Sequence, residues 1–182
     1  MRLRRLLLTF PIILGALVVL SLAWQKTPDA SPREKLVGAW RLVSIETIRP
    51  NGEVIYPFYG KHPDGLLVYN QNGWMSVQIA SDPSAAVPKD GSWEGFLAAP
   101  SPEKITAIER YYAYFGTWSL DPLASTVTHH IKQSLRPGER GEDGVRHFIF
   151  DGDRLTLTAA AHEMGEDHER KLVWQRVQGD QS

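Results

Sequence analysis

From residue 38 onward, apolar and polar residues alternate in short runs, a pattern that is typical of half-buried β-strands. The first run, residues 38–46, reads GAWRLVSIE. Its residues divide into two sets that would lie on opposite faces of the strand: Trp40, Leu42 and Ser44 on one, and Arg41, Val43 and Ile45 on the other. Residues 74–79 alternate in the same way, with Met75, Val77 and Ile79 opposite Trp74, Ser76 and Gln78.

Further strand-like runs follow at short intervals and bring the expected number of strands to about eight to ten. They lie at residues 53–56, 66–69, 117–120, 126–133, 145–150, 154–159 and 171–177. Turn signals such as Asn72-Gly73 and Asp151-Gly152 separate neighbouring runs. Regularly spaced strands joined by tight turns predict an all-β protein, and we expect an antiparallel up-and-down closed barrel rather than a sandwich.

Two segments interrupt the strand pattern. Residues 81–101 are rich in Pro and Gly and lack periodicity, so we interpret them as a flap over the mouth of the barrel. Ser101, Pro102 and Glu103 have the character of a helix start, and apolar residues recur at helical spacing as far as Phe115. The sequence therefore predicts one helix, at about residues 102–115, near one end of the barrel.

The last run, KLVWQRV, suggests how the barrel closes. If the first and last strands pair, Arg176 can lie over the Trp40 ring as a cation–π contact. Gly38, two residues before the Trp, would let the backbone pass close to a bulky ring. Gly38, Trp40 and Arg176 are thus predicted to have a structural role. The alternative is that Trp40 is an ordinary core residue and Arg176 an ordinary surface residue that do not contact each other.

Seven stretches of the chain, in order, resemble the bacterial lipocalin-like domain proteins. They read LVGAWRLVSIE, VIYPFYG, GLLVYNQNGWMSV, YYAYFGTWSL, VTHHIKQSL, DGDRLTL and KLVWQRV, and together they span nearly all of residues 36–177. The resemblance implies a calycin-type barrel and the binding of a small ligand. The PGERGEDG loop departs from the family pattern because no aromatic follows its proline, which implies a more open or more polar pocket mouth.

The N-terminus has the pattern of a targeting segment. A basic start at residues 1–5 precedes an apolar run, and Ser21-Leu22-Ala23 fits a cleavage site. We expect residues 1–23 to be a signal peptide or an uncleaved anchor, 24–34 a linker, 35–178 the barrel and 179–182 a tail. Either reading of the first segment predicts an exported protein, periplasmic or extracellular, or one anchored to the membrane by residues 6–23.

Composition excludes several classes of chemistry. The chain has 182 residues and no Cys, which rules out disulfides and cysteine nucleophiles. A formal net charge of -1 argues against a nucleic-acid partner. We expect no cofactor and no metal site. Residues 162–169 contain two His and four carboxylates, but they lack the HExxH spacing and are interpreted as a solvated loop.

His129 is the main candidate for chemistry. It shares the apolar face of its strand with Val127 and Ile131, whereas His130 points the other way. An interior His can polarise a ligand carbonyl or act as a general acid or base, and it can equally be a hydrogen-bonded core residue. His147 shares a face with Val145 and would approach His129 if their strands paired suitably.

The predicted function is non-catalytic binding of a small, mainly hydrophobic molecule. The candidate ligand-binding set combines aromatic and polar side chains, as small-molecule pockets do: Tyr56, Tyr69, Ser76, Tyr114, Trp118 and His129. One alternative is an enzyme of the isomerase, cyclase or hydrolase type that acts through His129, helped by a Tyr or His147. Another is an envelope interaction domain whose barrel is filled by side chains.

Overall fold

The computed structural model describes residues 30–85 and 91–179, so the predicted signal peptide or anchor at residues 1–23 lies outside it. Among the described residues, no helix is long and apolar enough to cross a membrane.

The described chain folds into one antiparallel sheet that closes on itself. Its strands are β1 (Gly38–Ile48), β2 (Val54–Ile55), β3 (Asp64–Tyr69), β4 (Trp74–Ala80), β5 (Tyr111–Asp121), β6 (Thr126–Ser134), β7 (Asp143–Asp151), β8 (Arg154–Glu163) and β9 (Glu166–Arg176). Each strand from β3 to β9 pairs with the next, β1 pairs with both β3 and β9, and the two-residue β2 extends the far end of β1. The predicted closed, up-and-down, lipocalin-like barrel of about eight to ten strands is confirmed, and eight strands form the closed ring.

Three short α-helices accompany the barrel, where the sequence predicts one. They are α1 (Pro32–Leu36), α2 (Trp93–Ala98) and α3 (Ser101–Glu109), and a single 3-10 turn lies at Pro137–Glu139. Residues 32–34, assigned to a linker from the sequence, thus form the start of α1, which Ser31 caps. Helix α2 lies within the segment predicted to be a structureless flap.

The helix predicted at about residues 102–115 is shorter in the structure than the sequence predicts. Helix α3 stops at Glu109, and residues 111–115 belong to β5, where Tyr112 pairs with Ile79 and Tyr114 with Val77. Aromatic residues favour strands, and alternate members of this segment turn inward onto the core. Pairing with a complete neighbouring strand therefore outweighs the helical spacing of the same residues.

A β-bulge in β1 changes which side chains face the interior. Trp40 and Leu42 point inward as predicted, but the pairing with β9 shifts between Leu42 and Ser44. One extra residue at a bulge reverses the faces beyond it. Ile45, predicted to lie opposite Trp40, is therefore an interior residue that is only 6% exposed.

Residues 162–169, interpreted from the sequence as a solvated loop, form the end of β8 and the start of β9 instead. The two strands meet in a tight hairpin whose turn residues, Met164 and Gly165, both have positive φ. Strand pairing continues to Glu163 and Glu166. The hairpin thus carries acidic and basic side chains of both strands to one end of the barrel.

The opposite end of the barrel is closed by α1 and Trp40. The Trp40 Nε1–H donates to the Leu36 carbonyl oxygen at 2.9 Å, and both side chains are fully buried. The Arg176 guanidinium lies 4.1 Å from the centre of the Trp40 ring and donates to the carbonyl oxygens of Lys35 and Val37. One side chain thus joins the last strand, the first strand and the helix.

Gly38 makes room for this arginine rather than for the Trp ring. A Cβ at position 38 would lie 2.8 Å from Nη1 of Arg176, and the φ of Gly38 is +138°. Both the contact and the backbone conformation therefore favour glycine at this position.

We predict that Arg176→Met lowers the free energy of unfolding by about 2–3 kcal/mol, because it removes a cation–π contact and charge-assisted hydrogen bonds. Urea denaturation of the purified protein measures the change. Arg154→Met, on the exposed start of β8, is the control and should cost less than about 0.5 kcal/mol. Equal losses in the two variants would show that Arg176 does not hold the closed end together.

Candidate functional site

A cavity of about 300 Å³ lies inside the barrel, between the closed end and the open end. Apolar side chains from five strands form one part of its wall: Ile45, Leu67, Val77, Ile79, Leu157 and Leu172. This volume is at the low end of the range for small-molecule sites. The barrel interior is therefore not completely filled by its own side chains.

His129 projects from β6 into the wall of this cavity. It is 1% exposed, and both of its ring nitrogens have a tyrosine partner. The Tyr114 hydroxyl lies 2.7 Å from Nδ1, and the Tyr69 hydroxyl lies 2.5 Å from Nε2. We call His129, Tyr69 and Tyr114 the buried triad. It is a polar cluster whose hydrogen-bonding capacity at the imidazole is completely used.

The buried triad is neutral. Burial raises the pKa of Tyr69 well above its ordinary value and also raises the pKa of Tyr114. Burial lowers the pKa of His129 well below its ordinary value, and the nearby positive charge of Arg146 lowers it further. A neutral imidazole donates one hydrogen bond and accepts another. One tyrosine hydroxyl therefore donates to His129, and the other accepts from it.

Aromatic rings continue the triad in both directions along the barrel. Below it, Tyr69 contacts the Trp118 ring, with centroids 5.0 Å apart. Above it, Tyr114 lies 5.4 Å from Tyr112, and Tyr112 lies 6.5 Å from Tyr59. The rings form a column from the closed end to the open end. Such contacts hold the triad residues in fixed orientations.

The open end is bordered on one side by four linked side chains. The Tyr112 hydroxyl donates to Oε2 of Glu139 at 2.6 Å, and Nη2 of Arg136 donates to the Tyr59 hydroxyl at 3.0 Å. The Arg136 guanidinium also lies 4.5 Å from the centre of the Tyr112 ring. Burial and the hydrogen bond to Glu139 raise the pKa of Tyr112, so this hydroxyl is protonated at neutral pH.

Tyr59, Tyr112 and Arg136 also border a second cavity, of about 550 Å³, on their outer side. The outer cavity is lined in part by Ser81 and Pro83, from the start of the segment predicted to be a flap, and by the end of α3. Three shared side chains therefore separate the outer cavity from the inner one.

The other side of the open end is formed by the β8–β9 hairpin. The Arg170 guanidinium donates to both carboxylate oxygens of Glu163 and lies 5.3 Å from the centre of the Phe58 ring. His168 is buried beside them, with Nε2 3.6 Å from Oε2 of Glu163. Arg170 and Glu163 are thus paired with each other, whereas among the described residues neither ring nitrogen of His168 has a hydrogen-bond partner.

Three of the residues predicted to bind a ligand lie next to one another in the structure. Tyr69, Tyr114 and His129 form the buried triad, and Val127 and Ile131 share the inner face of β6 with His129. Trp118 is close to them, but it lies against Tyr69 on the side of the closed end. Its Nε1–H donates to the Asn70 carbonyl oxygen, and the Arg33 guanidinium covers its ring.

Two of the predicted residues, Ser76 and Tyr56, lie away from the inner cavity. Ser76 is on the outer face of β4, because Met75 and Val77 on either side of it point inward. Tyr56 follows the short β2 and contacts Lys61, whose Nζ lies 5.8 Å from the ring centre. Neither side chain borders the cavity that holds the triad.

The predicted approach of His147 to His129 does not occur. His147 pairs with Thr126 and points outward with Val145, whereas the residue opposite His129 is Gly144. Arg146 and Phe148 take the inner positions of β7. The apolar Val145 and Ile149 suggested the wrong face for this strand. Arg146 was missed by the sequence reasoning. It is two and four residues from Phe148 and Phe150, and this alternation could have indicated that all three lie on the inner face.

The acidic and histidine-rich segment does not gather into a metal site. His162 is bonded to Asp167 at 2.7 Å on the exterior, whereas His168 points inward on the same hairpin. Within residues 30–85 and 91–179, no group of three or more His, Cys, Asp or Glu side chains is placed to hold a metal ion.

The neutral state of His129 predicts a pH dependence of stability. Below pH of about 6.5 the unfolded chain binds a proton at this His and the folded barrel does not, so stability falls as the pH falls. Replacing it by Gln should remove up to ~1.4 kcal/mol per pH unit from the slope between pH 6 and 5. Urea denaturation across this range measures the slope.

The exposed His62 provides the matched control, because His62→Gln removes a histidine without touching the triad. Its slope should equal that of the unsubstituted protein. If His129→Gln and His62→Gln had the same slope, His129 would have to be protonated in the folded barrel.

The comparison with protein families agrees with this architecture. The model of the lipocalin-like domain matches residues 37–177, which cover β1 to β9 completely. A search of curated proteins found no match. A family match over most of the chain, together with a closed eight-stranded antiparallel barrel, shows that this chain belongs to the lipocalin-like domain family.

Proposed function

We propose that this barrel binds one small, mainly hydrophobic molecule in its inner cavity and does not change it chemically. The observation that carries the proposal is the cavity of about 300 Å³, whose wall combines apolar side chains with charged ones and with His129 and Tyr114 of the buried triad. Pockets for small molecules commonly combine an apolar wall with a few fixed polar groups. The family match supports ligand binding in general terms.

The geometry of His129 favours binding over catalysis. A general base must accept and hold a proton, and burial disfavours the imidazolium form of this residue. Its two nitrogens are also occupied by Tyr69 and Tyr114, so a substrate would have to displace one of them. The triad is suited instead to orienting a polar group of a ligand through a tyrosine hydroxyl.

Export is part of the proposal and rests on the sequence pattern of residues 1–23 alone. We propose that the barrel works outside the cytoplasm, either free after cleavage or held at the membrane by this segment. Determining the N-terminal residue of the protein isolated from its own cells tests cleavage. A chain that begins at Trp24 supports a signal peptide, and a chain that still contains residues 1–23 supports an anchor.

We predict that straight-chain alcohols bind with affinities that rise about fourfold per added methylene, since each buried methylene contributes ~0.8 kcal/mol. Isothermal titration calorimetry with the series from hexanol to decanol measures this. The increase should stop when the cavity is full, at roughly ten non-hydrogen atoms if each occupies about 30 Å³.

Ala159 and Ala113 provide a matched pair of variants for this test. Ala159 borders the cavity from β8, whereas Ala113 lies on the outer face of β5, between Tyr112 and Tyr114, which border the cavity. Ala159→Phe should fill the cavity and weaken binding at least ~10-fold, whereas Ala113→Phe should bind as the unsubstituted protein does. Alcohol binding that is absent from the unsubstituted barrel, or equal in the two variants, would contradict the proposal.

A further inference from the structure

Among the described residues, one cationic side chain of the inner cavity lacks a carboxylate partner. Six charged side chains border it: Arg136, Glu139, Asp143, Arg146, Glu163 and Arg170. Glu139 lies 3.5 Å from Arg136, Glu163 contacts Arg170, and Asp143 is bonded to Nδ1 of His130 at 2.7 Å. Arg146 is different. Among the described residues, no carboxylate lies within ion-pair distance of its guanidinium.

The position of the Arg146 guanidinium depends on Gly144. Nη1 of Arg146 donates to the Gly144 carbonyl oxygen at 2.7 Å, so the side chain folds back along its own strand. A Cβ at position 144 would lie 2.3 Å from Nη1 and 3.1 Å from Cζ. Glycine at this position therefore allows the guanidinium to lie over the strand next to His129, with which Gly144 is paired.

Arg146 directs positive charge at the buried triad. Its Cζ lies 6.0 Å from the centre of the Tyr114 ring, and its charge lowers the pKa of both triad tyrosines, against the larger effect of burial. A partly buried guanidinium without a counter-ion is costly unless a ligand supplies one. The cavity thus combines an unpaired cation, a tyrosine hydroxyl and an apolar wall.

We propose that the ligand is a small organic acid whose carboxylate pairs with Arg146 and accepts a hydrogen bond from the Tyr114 hydroxyl. This inference rests on the proposed function and names the class of ligand. The apolar body of the acid lies against the opposite wall, where Leu67 projects from β3, four strands from β7 in the closed ring. Arg–carboxylate pairs form two parallel hydrogen bonds and are among the strong polar contacts in proteins.

The buried triad can support this contact without losing a hydrogen bond. Tyr114 has a hydrogen free for the carboxylate when Nδ1–H of His129 donates to it, and Tyr69 then donates to Nε2. The ligand would select this tautomer. His129 and Tyr69 are thus positioning residues that orient the Tyr114 hydroxyl.

Octanoate, 1-octanol and inorganic phosphate separate the contributions of the carboxylate and the apolar chain. We predict that octanoate binds at least ~10-fold more tightly than 1-octanol at neutral pH and low salt. Inorganic phosphate should not displace octanoate at comparable concentration, because it leaves the apolar wall uncovered. Isothermal titration calorimetry on the barrel with all three probes measures these affinities.

Two variants test the role of Arg146, and one variant is the control. Arg146→Met should bind octanoate and 1-octanol with similar affinity, while its affinity for 1-octanol is kept. Gly144→Ala should lower the preference for octanoate because the added Cβ displaces the guanidinium. Arg41→Met removes a cation whose side chain is 72% exposed on the outer face and should keep the full preference. Thermal unfolding of each variant shows that it is folded.

The outcomes distinguish this inference from the proposed function. If the unsubstituted barrel binds 1-octanol as well as octanoate, the inference fails and the proposed function stands. If it binds neither, both fail. Retention of the octanoate preference by Arg146→Met, or equal competition by phosphate, would also overturn the inference.

Discussion

The contact between Arg176 and Trp40 is the interaction on which the rest of the barrel depends. It joins the last strand to the first and, through the carbonyl oxygens of Lys35 and Val37, fixes α1 across the closed end. A helix and an aromatic ring cover this end, and the inner cavity is bordered by Arg136, Glu139 and Glu163 at the other end. The cavity and the buried triad lie on that side, so the closure determines where binding can occur.

Two glycines place two arginines inside this barrel. Gly38 leaves room for the guanidinium of Arg176 at the closed end, and Gly144 leaves room for that of Arg146 in the cavity. Arg176 lies 4.1 Å from an aromatic ring centre and donates to two carbonyl oxygens, whereas Arg146 lies 6.0 Å from the Tyr114 ring centre and donates to one carbonyl oxygen. In both places a glycine makes room for a guanidinium. Arg176 has enough partners to stabilise the fold, whereas Arg146 keeps donors that can bind an anion.

Much of the fold could be predicted from the sequence, because alternation identifies strands that have one face buried. The inner position of His129 followed from its apolar neighbours on β6. Alternation fails where a bulge adds a residue, as it does before Ile45, because the pattern cannot reveal which residue is left unpaired. It also fails where both faces carry apolar residues, which concealed the inward position of Arg146. Tyr112 was assigned to a helix because aromatic residues at that spacing fit both periodicities, and only pairing with β4 decides between them.

The central claim of this account is that the cavity beside the buried triad holds a small molecule. Native mass spectrometry of the protein purified without denaturation from its own cells tests this most directly, because it requires no prior choice of ligand. The account predicts a discrete additional mass that disappears on denaturation and is recovered by solvent extraction as an organic acid. A bare protein mass from several independent preparations, with no acid in the extract, would contradict it.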